Sequence, residues 1–429
     1  MRTRRFAVGV AAFAAATLAL SACSAGTGGG SGSGDVEMTL WQNSTTGPGQ
    51  QFWKDAIEAF EAENEGVTIT MQSVQNEDMD GKLQTALNAG DPPDIFLQRG
   101  GGKMTAMVNA GQLMDLTDLI SDDVRSEVSE GSFAAETYQD KVWAMPLSVL
   151  PGGFFYSQDA FDAAGIAENP STIDDLKAAV EDLKGTGIAP IALGAKDAWP
   201  AAHWYYFFAL RECSPQVIEE TGDSKDFSDE CWTRAAQDLT DFAAIQPFNE
   251  GFLTTAAQQG AGSSAGLIAN RKAAMELMGA WDPGVIASLT PDEKPLPDLA
   301  WFPFPEISGG DGEPGSMMGG VDGYSCAAQA PKECADFLNF IAGSEQQTKY
   351  YEAFQSPPVN SVAQEAVEEP YLQQILEAYN NAPFVSQWLD TVLGQNVGNA
   401  LNVAVVDMLA GGSDPEKFIA AVNAAGAQG

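Results

Sequence analysis

The chain has 429 residues, of which 45% are hydrophobic, and its formal net charge is −38 because 59 acidic residues face 21 basic ones. This length exceeds what one hydrophobic core usually serves, so two folding lobes are expected. A surface this negative repels nucleic acid and anionic lipid head groups, and it disfavours an anionic ligand unless a local basic pocket overrides the field.

The first 35 residues are typical of an exported and tethered protein. Three arginines precede an apolar run over 6–20, and Leu20-Ser21-Ala22-Cys23 follows as a lipobox. The run is too short to span a bilayer, so we predict a signal peptide over 1–22, lipidation of Cys23 and a flexible Gly/Ser linker over 23–35. Loss of the signal leaves 18 basic residues against 59 acidic ones, a net charge of −41. Both the general and the twin-arginine export routes stay open.

Strand and helix signals then alternate along the chain, which predicts an α/β fold. Residues 36–40 and 67–71 have the alternation of strands, and the apolar spacing from Trp53 to Phe60 predicts an amphipathic helix between them. Acidic side chains after the second strand are expected to cap a helix that begins near Lys82.

Two later helices carry clear start signals. One begins at Ser171 or Thr172, has two aspartates in its first turn and ends at Gly185. The other begins at Ser413-Asp414 with Pro415 at its first position. Both present apolar residues on one face, so both are expected to pack on a sheet or on other helices.

The five cysteines are an odd number, which leaves one reactive thiol in an exported protein unless Cys23 is lipidated. The other four allow three pairings, and we predict the two that close the shortest loops, Cys213–Cys231 and Cys326–Cys334. Zinc is the alternative. The chain has no CxxC pair, and its one histidine, His203, is not spaced with the cysteines, so no metal is expected.

Three stretches imitate functional motifs without their context. Residues 262–266 match G-x-S-x-G, but no histidine follows Ser264. Residues 310–315 spell G-x-G-x-x-G in a loop without a helix, and residues 76–87 resemble a calcium loop that has Leu87 where a glutamate is required. Carboxylate pairs are too numerous among 59 acids to identify a glycosidase dyad. We therefore expect no enzyme and no cofactor.

Tryptophans stand beside small polar residues at three places. Trp41-Gln42-Asn43 ends the first strand, residues 199–204 form an aromatic loop, and Trp281-Asp282 follows an apolar strand predicted over 273–278. Indole faces suit the C–H faces of sugar rings, and neighbouring amides and carboxylates suit hydroxyls, so the chemistry fits a neutral carbohydrate. The tryptophans expected in the core instead are Trp53, Trp143, Trp232 and Trp301.

The order of several segments resembles the lipoprotein substrate-binding components of carbohydrate ABC importers, in their maltodextrin-binding-like group. The resemblance spans essentially residue 36 to the C terminus and is carried by 40–43, 89–96, 141–146, 154–156, 278–281 and 319–324. Residues 96–102 and the Cys213–Cys231 region are most similar to the members that bind xylobiose and related oligosaccharides, although Arg99 stands where a tryptophan is expected.

The resemblance implies a periplasmic-binding-protein type II fold, in which hinge strands cross between two α/β lobes and sugar binds in the cleft between them. The expected boundaries are 36–145 plus 301–326 for lobe one and 146–300 plus 327–429 for lobe two. The Pro- and Gly-rich breaks at 146–153 and 301–323 are the expected crossings.

The resemblance also implies ligand contacts from both lobes and the hinge: Trp41, Gln42, Asn43, Gln98 or Arg99 in lobe one, Tyr156, Trp199 and Trp281 in lobe two, and Asp322 with Asp282 as hydroxyl acceptors. The expected protein is an extracytoplasmic, membrane-anchored, monomeric lipoprotein. It closes on a neutral oligosaccharide, such as a xylo-oligosaccharide, and delivers it to an ABC permease driven by a separate cytoplasmic ATPase. The alternatives are a lipid-anchored carbohydrate-active enzyme, a binding protein for a non-sugar solute, which Arg99 favours, and a sensor or adhesin.

Overall fold

A computed structural model describes residues 35–428, so the predicted signal peptide, Cys23 and most of the linker lie outside the described residues. Within this part of the chain no helix is long and apolar enough to cross a membrane. The strands are β1 (Val36–Gln42), β2 (Val67–Ser73), β3 (Ile95–Gln98), β4 (Thr137–Tyr138), β5 (Lys141–Val142), β6 (Met145–Ser157), β7 (Ala189–Ala192), β8 (Ala273–Gly279), β9 (Leu299–Phe302), β10 (Met317–Cys326) and β11 (Val385–Ser386).

The α-helices outnumber the strands and cover both faces of the main sheet. They are α1 (Gly47–Glu63), α2 (Asn76–Ala89), α3 (Gly101–Asn109), α4 (Asp122–Glu127), α5 (Glu130–Ala135), α6 (Gln158–Ala164), α7 (Ile173–Lys184), α8 (Trp199–Glu212), α9 (Pro215–Ser224), α10 (Glu230–Ala244), α11 (Ser264–Ala269), α12 (Asp282–Leu289), α13 (Glu333–Ala342), α14 (Ser344–Phe354), α15 (Ser361–Gln364), α16 (Pro370–Asn381), α17 (Leu389–Leu393), α18 (Gln395–Leu409) and α19 (Pro415–Gly426).

The elements with strong local signals form as predicted. β1, α1 and β2 follow one another, and β1 pairs in parallel with β2, as a strand–helix–strand unit requires. Thr172 caps α7 in a reciprocal capping box with Asp175, and Gly185 follows the helix. Asp414 caps α19 by accepting a hydrogen bond from the backbone N–H of Lys417.

Three predictions of local structure are wrong. The aromatic loop expected over 199–204 is the first turn and a half of α8, where Pro200 occupies an early helical position that needs no N–H. In the Pro- and Gly-rich segment at 146–153 the predicted crossing between lobes is present but the predicted break is not, because the segment is continuous strand inside β6. The helix expected near Lys82 begins earlier, at Asn76, with Glu77 and Asp78 in its first turn.

One mixed sheet runs through the molecule in the strand order β2-β1-β3-β10-β6-β8-β7. β6 and β10 pair antiparallel with each other, and each also pairs with strands of one lobe: β10 with β3, and the second half of β6 with β8 and β9. These two long strands therefore cross between the lobes, as predicted for the hinge.

Two lobes are visible in how the apolar side chains pack. The first-lobe cluster surrounds β1 to β3 and includes Leu40, Trp53 and Phe96. In the second lobe, Phe154 and Leu277 face α8 and α10, whereas Phe155, Met278 and Trp301 face α11, α12 and α16. Successive side chains of a strand point to opposite faces, so the second-lobe sheet is covered on both sides. Of the tryptophans expected in the core, Trp53, Trp232 and Trp301 are buried and Trp143 is half-buried.

The packing departs from the predicted lobe boundaries in two segments. Residues of α13 after β10 join the first-lobe cluster, where Phe337 meets Phe60 with ring centroids 5.1 Å apart. β9 joins the second lobe, because it pairs with β6 and stacks Phe302 on Phe154 at 4.9 Å. The position of a segment along the chain does not by itself show that α13 packs with the first lobe or that β9 packs with the second.

Both predicted disulfides are present. Cys213–Cys231 joins the end of α8 to the start of α10, with Cα atoms 5.1 Å apart. Cys326–Cys334 joins the end of β10 to the start of α13, with Cα atoms 6.1 Å apart. The Cys326–Cys334 bridge links α13 covalently to the hinge strand β10 and so keeps α13 against the first lobe.

Candidate functional site

The candidate site lies where strands of both lobes end. The carboxyl ends of the parallel strands β1, β2 and β3 carry Asn43, the start of α2 and Arg99. In the second lobe, β7 and β8 are parallel, and their carboxyl ends lead into Trp199 and Trp281. Open α/β sheets bind ligands at such ends, which is the position predicted for these tryptophans.

The two lobes touch beside these strand ends. The amide of Gln259 in the second lobe donates to Gln75 Oε1 at 2.5 Å and to Glu77 Oε2 at 3.4 Å, both at the start of α2. Burial raises the pKa of Glu77, and the nearby carboxylate of Asp197 in the second lobe adds to the shift. The start of α2 therefore faces the loop that leads into Trp199.

Four aromatic rings, from Trp199, His203, Trp281 and Trp388, pack together in the second lobe. We call them the aromatic cluster. Trp199 lies 5.1 Å from His203 and 6.0 Å from Trp281, measured between ring centroids. His203 stacks on Trp388 at 4.1 Å, and Trp388 lies 5.7 Å from Trp281. Two of the three predicted platform residues are thus brought together.

Trp388, which the sequence did not single out, connects this cluster to the hinge. A Cβ atom at Gly152 of β6 would lie 2.7 Å from its ring, and one at Gly320 of β10 would lie 3.0 Å away. Glycine at these two positions lets both crossing strands approach the indole. Trp388 is 6% exposed and immediately precedes α17.

Several polar atoms at the aromatic cluster are buried and have no hydrogen-bond partner within residues 35–428. They are the indole Nε1 atoms of Trp199 and Trp281, Nδ1 of His203 and both carboxyl oxygens of Asp282, the residue after Trp281. The indole N–H of Trp199 is near the carboxylate of Glu77 and partly offsets the rise that burial causes in its pKa, but the two are not in hydrogen-bond geometry. Buried polar groups are normally paired, because an unmade hydrogen bond costs about 1–3 kcal/mol. Unpaired donors and acceptors on aromatic rings and on a neighbouring carboxyl group are suited to a ligand that carries many hydroxyls.

Four buried titratable groups near the site are uncharged at neutral pH. Burial lowers the pKa of His203 to about 3, so its imidazole is neutral. Burial raises the pKa of Asp282 to about 8, and it raises the pKa of the adjacent Glu276 well above its usual range. Burial also raises the pKa of Glu136 well above its usual range, and the neighbouring carboxylate of Asp322 adds to this shift. These groups offer hydrogen bonds without net charge.

Arg99, the residue that favoured a charged solute, is neutralised within the protein. Its guanidinium donates to Asn76 Oδ1 at 2.6 Å and to Asp80 Oδ1 at 3.3 Å, and it lies 3.5 Å from Asp322 Oδ1. Lys103 also contacts Asp80, at 2.8 Å. Burial would lower the pKa of Arg99, but Asp322 and Asp80 raise it. The paired charge is not available to an anionic ligand.

Asp322, the predicted hydroxyl acceptor at the hinge, lies on β10 two residues from Gly320 and therefore on the same face as the glycine that meets Trp388. Its carboxylate is held by Arg99, and burial raises its pKa. The structure thus places it at the hinge between the first-lobe strand ends and Trp388.

Three predicted contact residues have side chains committed to the interior. Gln42 is fully buried, and its amide donates to Ser44 O at 2.9 Å and to Ser73 Oγ at 2.7 Å, so it shapes the loop after β1. Gln98 is 3% exposed and accepts from the N–H of Arg99. Tyr156 packs on Phe161 at 4.3 Å, and its hydroxyl donates to Gln158, so it belongs to the second-lobe core and not to the aromatic cluster.

Trp41 and Asn43 are better placed than Gln42 because both are half-buried at the end of β1. Trp41 packs against the edge of the first-lobe cluster. The side-chain amide of Asn43 makes no hydrogen bond with any described residue, so it keeps its donors and acceptor for another partner.

Among residues 35–428, no group of three or more His, Cys, Asp or Glu side chains is placed to hold a metal ion. Ser264, the centre of the G-x-S-x-G match, donates its hydroxyl to the carbonyl of Ala257 and lies in the first turn of α11. Its hydroxyl therefore makes a structural hydrogen bond.

Comparison with known proteins gives one family match. Residues 43–348, more than half of the chain, match the model of a family described as bacterial extracellular solute-binding protein. A solved structure reported with xylan utilization by the thermophilic bacterium Caldanaerobius polysaccharolyticus is 26% identical, with a TM-score of 0.83 over 91% of this chain and 99% of that one. A chitin oligosaccharide binding protein is 23% identical, with a TM-score of 0.82 over 92% and 98% of the two chains, which shows a shared two-lobed fold.

Curated sequence relatives match over shorter stretches. An uncharacterized ABC transporter extracellular-binding protein of Pyrococcus horikoshii is 33% identical over 123 residues, which are 28% of this chain and 27% of that protein. The chain spans about half or less of the length of the curated relatives that it matches most strongly.

Proposed function

The chain belongs to the family of bacterial extracellular solute-binding proteins, and from that membership we propose that it captures a neutral oligosaccharide in the cleft between its lobes. A xylo-oligosaccharide or a similar di- or trisaccharide is the proposed cargo. The protein would deliver it to an ABC permease, and hydrolysis of ATP would belong to a separate cytoplasmic ATPase.

One observation carries the proposal: the aromatic cluster and the neighbouring Asp282 hold buried donors and acceptors that have no hydrogen-bond partner among the described residues, and His203 and Asp282 are both neutral. Sugar hydroxyls are both donors and acceptors, and they would pair the indole N–H groups of Trp199 and Trp281 and the carboxyl group of Asp282. The apolar faces of a sugar ring would stack on the indoles. A charged ligand would lack a counter-charge here, since Arg99 is already paired.

The proposed contacts come from both lobes. Trp41 and Asn43 would form the first-lobe wall, and the second-lobe platform would consist of Trp199, Trp281 and Trp388. Asp282 and the Arg99–Asp322 pair would bind hydroxyls at the ends of the cleft. We leave Gln42, Gln98 and Tyr156 out of the contact set because their side chains are engaged elsewhere.

The packing also leads us to propose a revised division of the lobes. Lobe one would comprise 36–150 together with 321–360, and lobe two would comprise 151–320 together with 361–428. This division follows the hydrophobic clusters, since Phe337 of α13 packs with the first lobe and Phe302 of β9 with the second.

The proposed mechanism is a population shift between open and closed lobes. Gln259 of the second lobe contacts the start of α2 in the first, and the proposed closed form is the arrangement that keeps this contact. Sugar that contacts both walls would stabilise this arrangement, and the permease would recognise the closed protein. The proposal also includes export, cleavage before Cys23, lipidation of that residue and anchoring of a monomer outside the cytoplasm.

A thermal-shift screen tests the proposal. The ligands are neutral oligosaccharides of xylose, glucose, galactose and arabinose, with amino acids and peptides as controls. A ligand at a hundred times its dissociation constant adds about 2.7 kcal/mol, which raises the melting temperature by a few degrees. A selective rise with one sugar series is expected. A response to a charged or peptidic control, with none to any sugar, would contradict the proposal.

A further inference from the structure

A pocket, which we call the hinge-back pocket, lies away from the aromatic cluster. Its volume is about 220 Å³, roughly seven times the ~30 Å³ that one water occupies in the liquid. The floor is made by Val149 of the crossing strand β6 and by Val359, and the walls come from α4–α5 and α15–α16.

This pocket and the cleft lie on opposite faces of β6. Val149 lines the pocket, whereas Gly152, three positions further along the same strand, meets Trp388 of the aromatic cluster. Side chains three positions apart in a strand point to opposite faces. Val321, paired with Val149 on β10, packs into the first-lobe cluster with it, which agrees with that assignment.

The lining of the hinge-back pocket is polar around an apolar floor. The hydroxyls of Ser361 and Tyr379 and the amide of Asn380 make no side-chain hydrogen bond with any described residue. Ser132 is 2% exposed at the base and shares a hydrogen bond with Ser129, at 2.9 Å. The pocket therefore offers hydroxyl and amide groups for hydrogen bonding and aliphatic surface for C–H groups.

The charges around the pocket exclude an anion. Glu127 is the charged residue of the lining, and its carboxylate accepts a hydrogen bond from the amide of Asn360 at 2.7 Å. The sequence has no Lys or Arg between Lys349 and Lys417, the stretch that supplies one whole wall. A ligand with a phosphate or carboxylate group would find no counter-charge there.

We propose that the hinge-back pocket is a second ligand site, for a small neutral polyhydroxy molecule of monosaccharide or sugar-alcohol size. The pocket lies at the boundary of the lobes, since Val128 packs with the first-lobe cluster, whereas Leu376 and Tyr379 of α16 pack against both the first-lobe and the second-lobe clusters. Relative movement of the lobes changes the separation of these walls. A molecule bound there favours the arrangement seen here, in which Gln259 touches Gln75, and occupancy of pocket and cleft is therefore linked.

Methyl-group NMR tests the site with xylitol as the probe. The reporters are the labelled methyl groups of Val128, Val149, Val359 and Leu376, all of which line the pocket. Saturable shifts are expected with xylitol and not with ethanolamine or glycerol phosphate, which carry charge. Absence of any saturable shift, or a stronger response to ethanolamine, would overturn the proposal.

Two variants make the test specific. Ser361→Trp places an indole in the pocket from its exposed rim and is expected to weaken xylitol binding at least tenfold. Val362→Trp, at the adjacent residue that is 48% exposed and does not line the pocket, is the matched control and should leave binding unchanged. Equal xylitol binding by both variants would show that the molecule binds elsewhere.

The link to the cleft has its own readout, which rests on the proposed function. Xylitol should tighten binding of the oligosaccharide found in the thermal-shift screen, and Ser361→Trp should abolish that dependence. If no sugar binds the cleft, the methyl shifts still decide whether the hinge-back pocket binds its probe. The two proposals therefore fail separately.

Discussion

Trp281 allows the loss of one hydrogen-bond donor to be separated from the loss of a ring. Its buried Nε1 has no partner among the described residues, so Trp281→Phe removes the donor and keeps an aromatic face. If that N–H binds a sugar hydroxyl, its loss costs about 0.5–1.5 kcal/mol, which weakens binding about 2- to 12-fold at ~1.4 kcal/mol per decade. Trp281→Ala also forfeits the ring face, worth about 0.5–1.5 kcal/mol more, so the total of about 1–3 kcal/mol should weaken binding about 5- to 140-fold.

Trp281→Phe should weaken sugar binding without lowering the stability of the free protein. An unpaired buried donor costs about 1–3 kcal/mol in the free protein, so Trp281→Phe should leave the melting temperature unchanged or raise it. Trp143→Phe is the matched control, because the indole of Trp143 donates to the carbonyl of Tyr138 at 2.9 Å. That variant should lose about 1 kcal/mol of stability and keep its affinity.

Calorimetric titration with the sugar from the screen, together with thermal melts, measures both quantities. Unchanged affinity in Trp281→Phe and Trp281→Ala would remove this residue from the site. A fall in the stability of Trp281→Phe as large as that of Trp143→Phe would show that its N–H is paired in the free protein.

Three further perturbations probe the fold around the site. Cys213→Ser should lower the melting temperature by several degrees in oxidising buffer, since a loop of 18 residues is worth about 3 kcal/mol, and an equal difference after reduction would contradict this. Burial holds the pKa of His203 near 3, so between pH 6.5 and 3 the unfolded chain binds a proton that the folded chain does not. Stability should therefore fall as the pH falls through that window, by up to about 1.4 kcal/mol per pH unit, and denaturant melts of His203→Gln should show a smaller slope. Arg99→Met leaves the partly buried carboxylate of Asp322 without a cationic partner, whereas Asp80 keeps Lys103, and should cost about 3–5 kcal/mol in chemical unfolding; a cost below 1 kcal/mol would mean that solvent already screens the network.

Local signals in the sequence were enough for the elements that depend on neighbouring residues. The capping box at Thr172 and the proline after Asp414 mark helix starts through contacts within one turn. The sequence could predict that Trp199 and Trp281 lie near each other, because both follow the carboxyl ends of strands, where α/β folds bind ligands. Their contact with a ligand stays a prediction.

Features that depend on contacts between residues far apart in the sequence could not be predicted from local signals. Trp388 reaches the aromatic cluster from a segment more than a hundred residues after Trp281, and no periodic pattern marks it. Tyr156 was expected in the platform, but the alternation of β6 points it to the core, and only the register of the strand decides that. The assignment of α13 to the first lobe likewise depends on long-range packing.

The central claim is that the unpartnered groups of the aromatic cluster bind a neutral oligosaccharide, and a crystal structure with the sugar selected by the screen tests it most directly. We predict sugar oxygens within about 3.2 Å of the Nε1 atoms of Trp199 and Trp281, with a sugar ring against an indole face. Sugar bound away from this cluster, with both indole N–H groups still unpaired, would contradict the account.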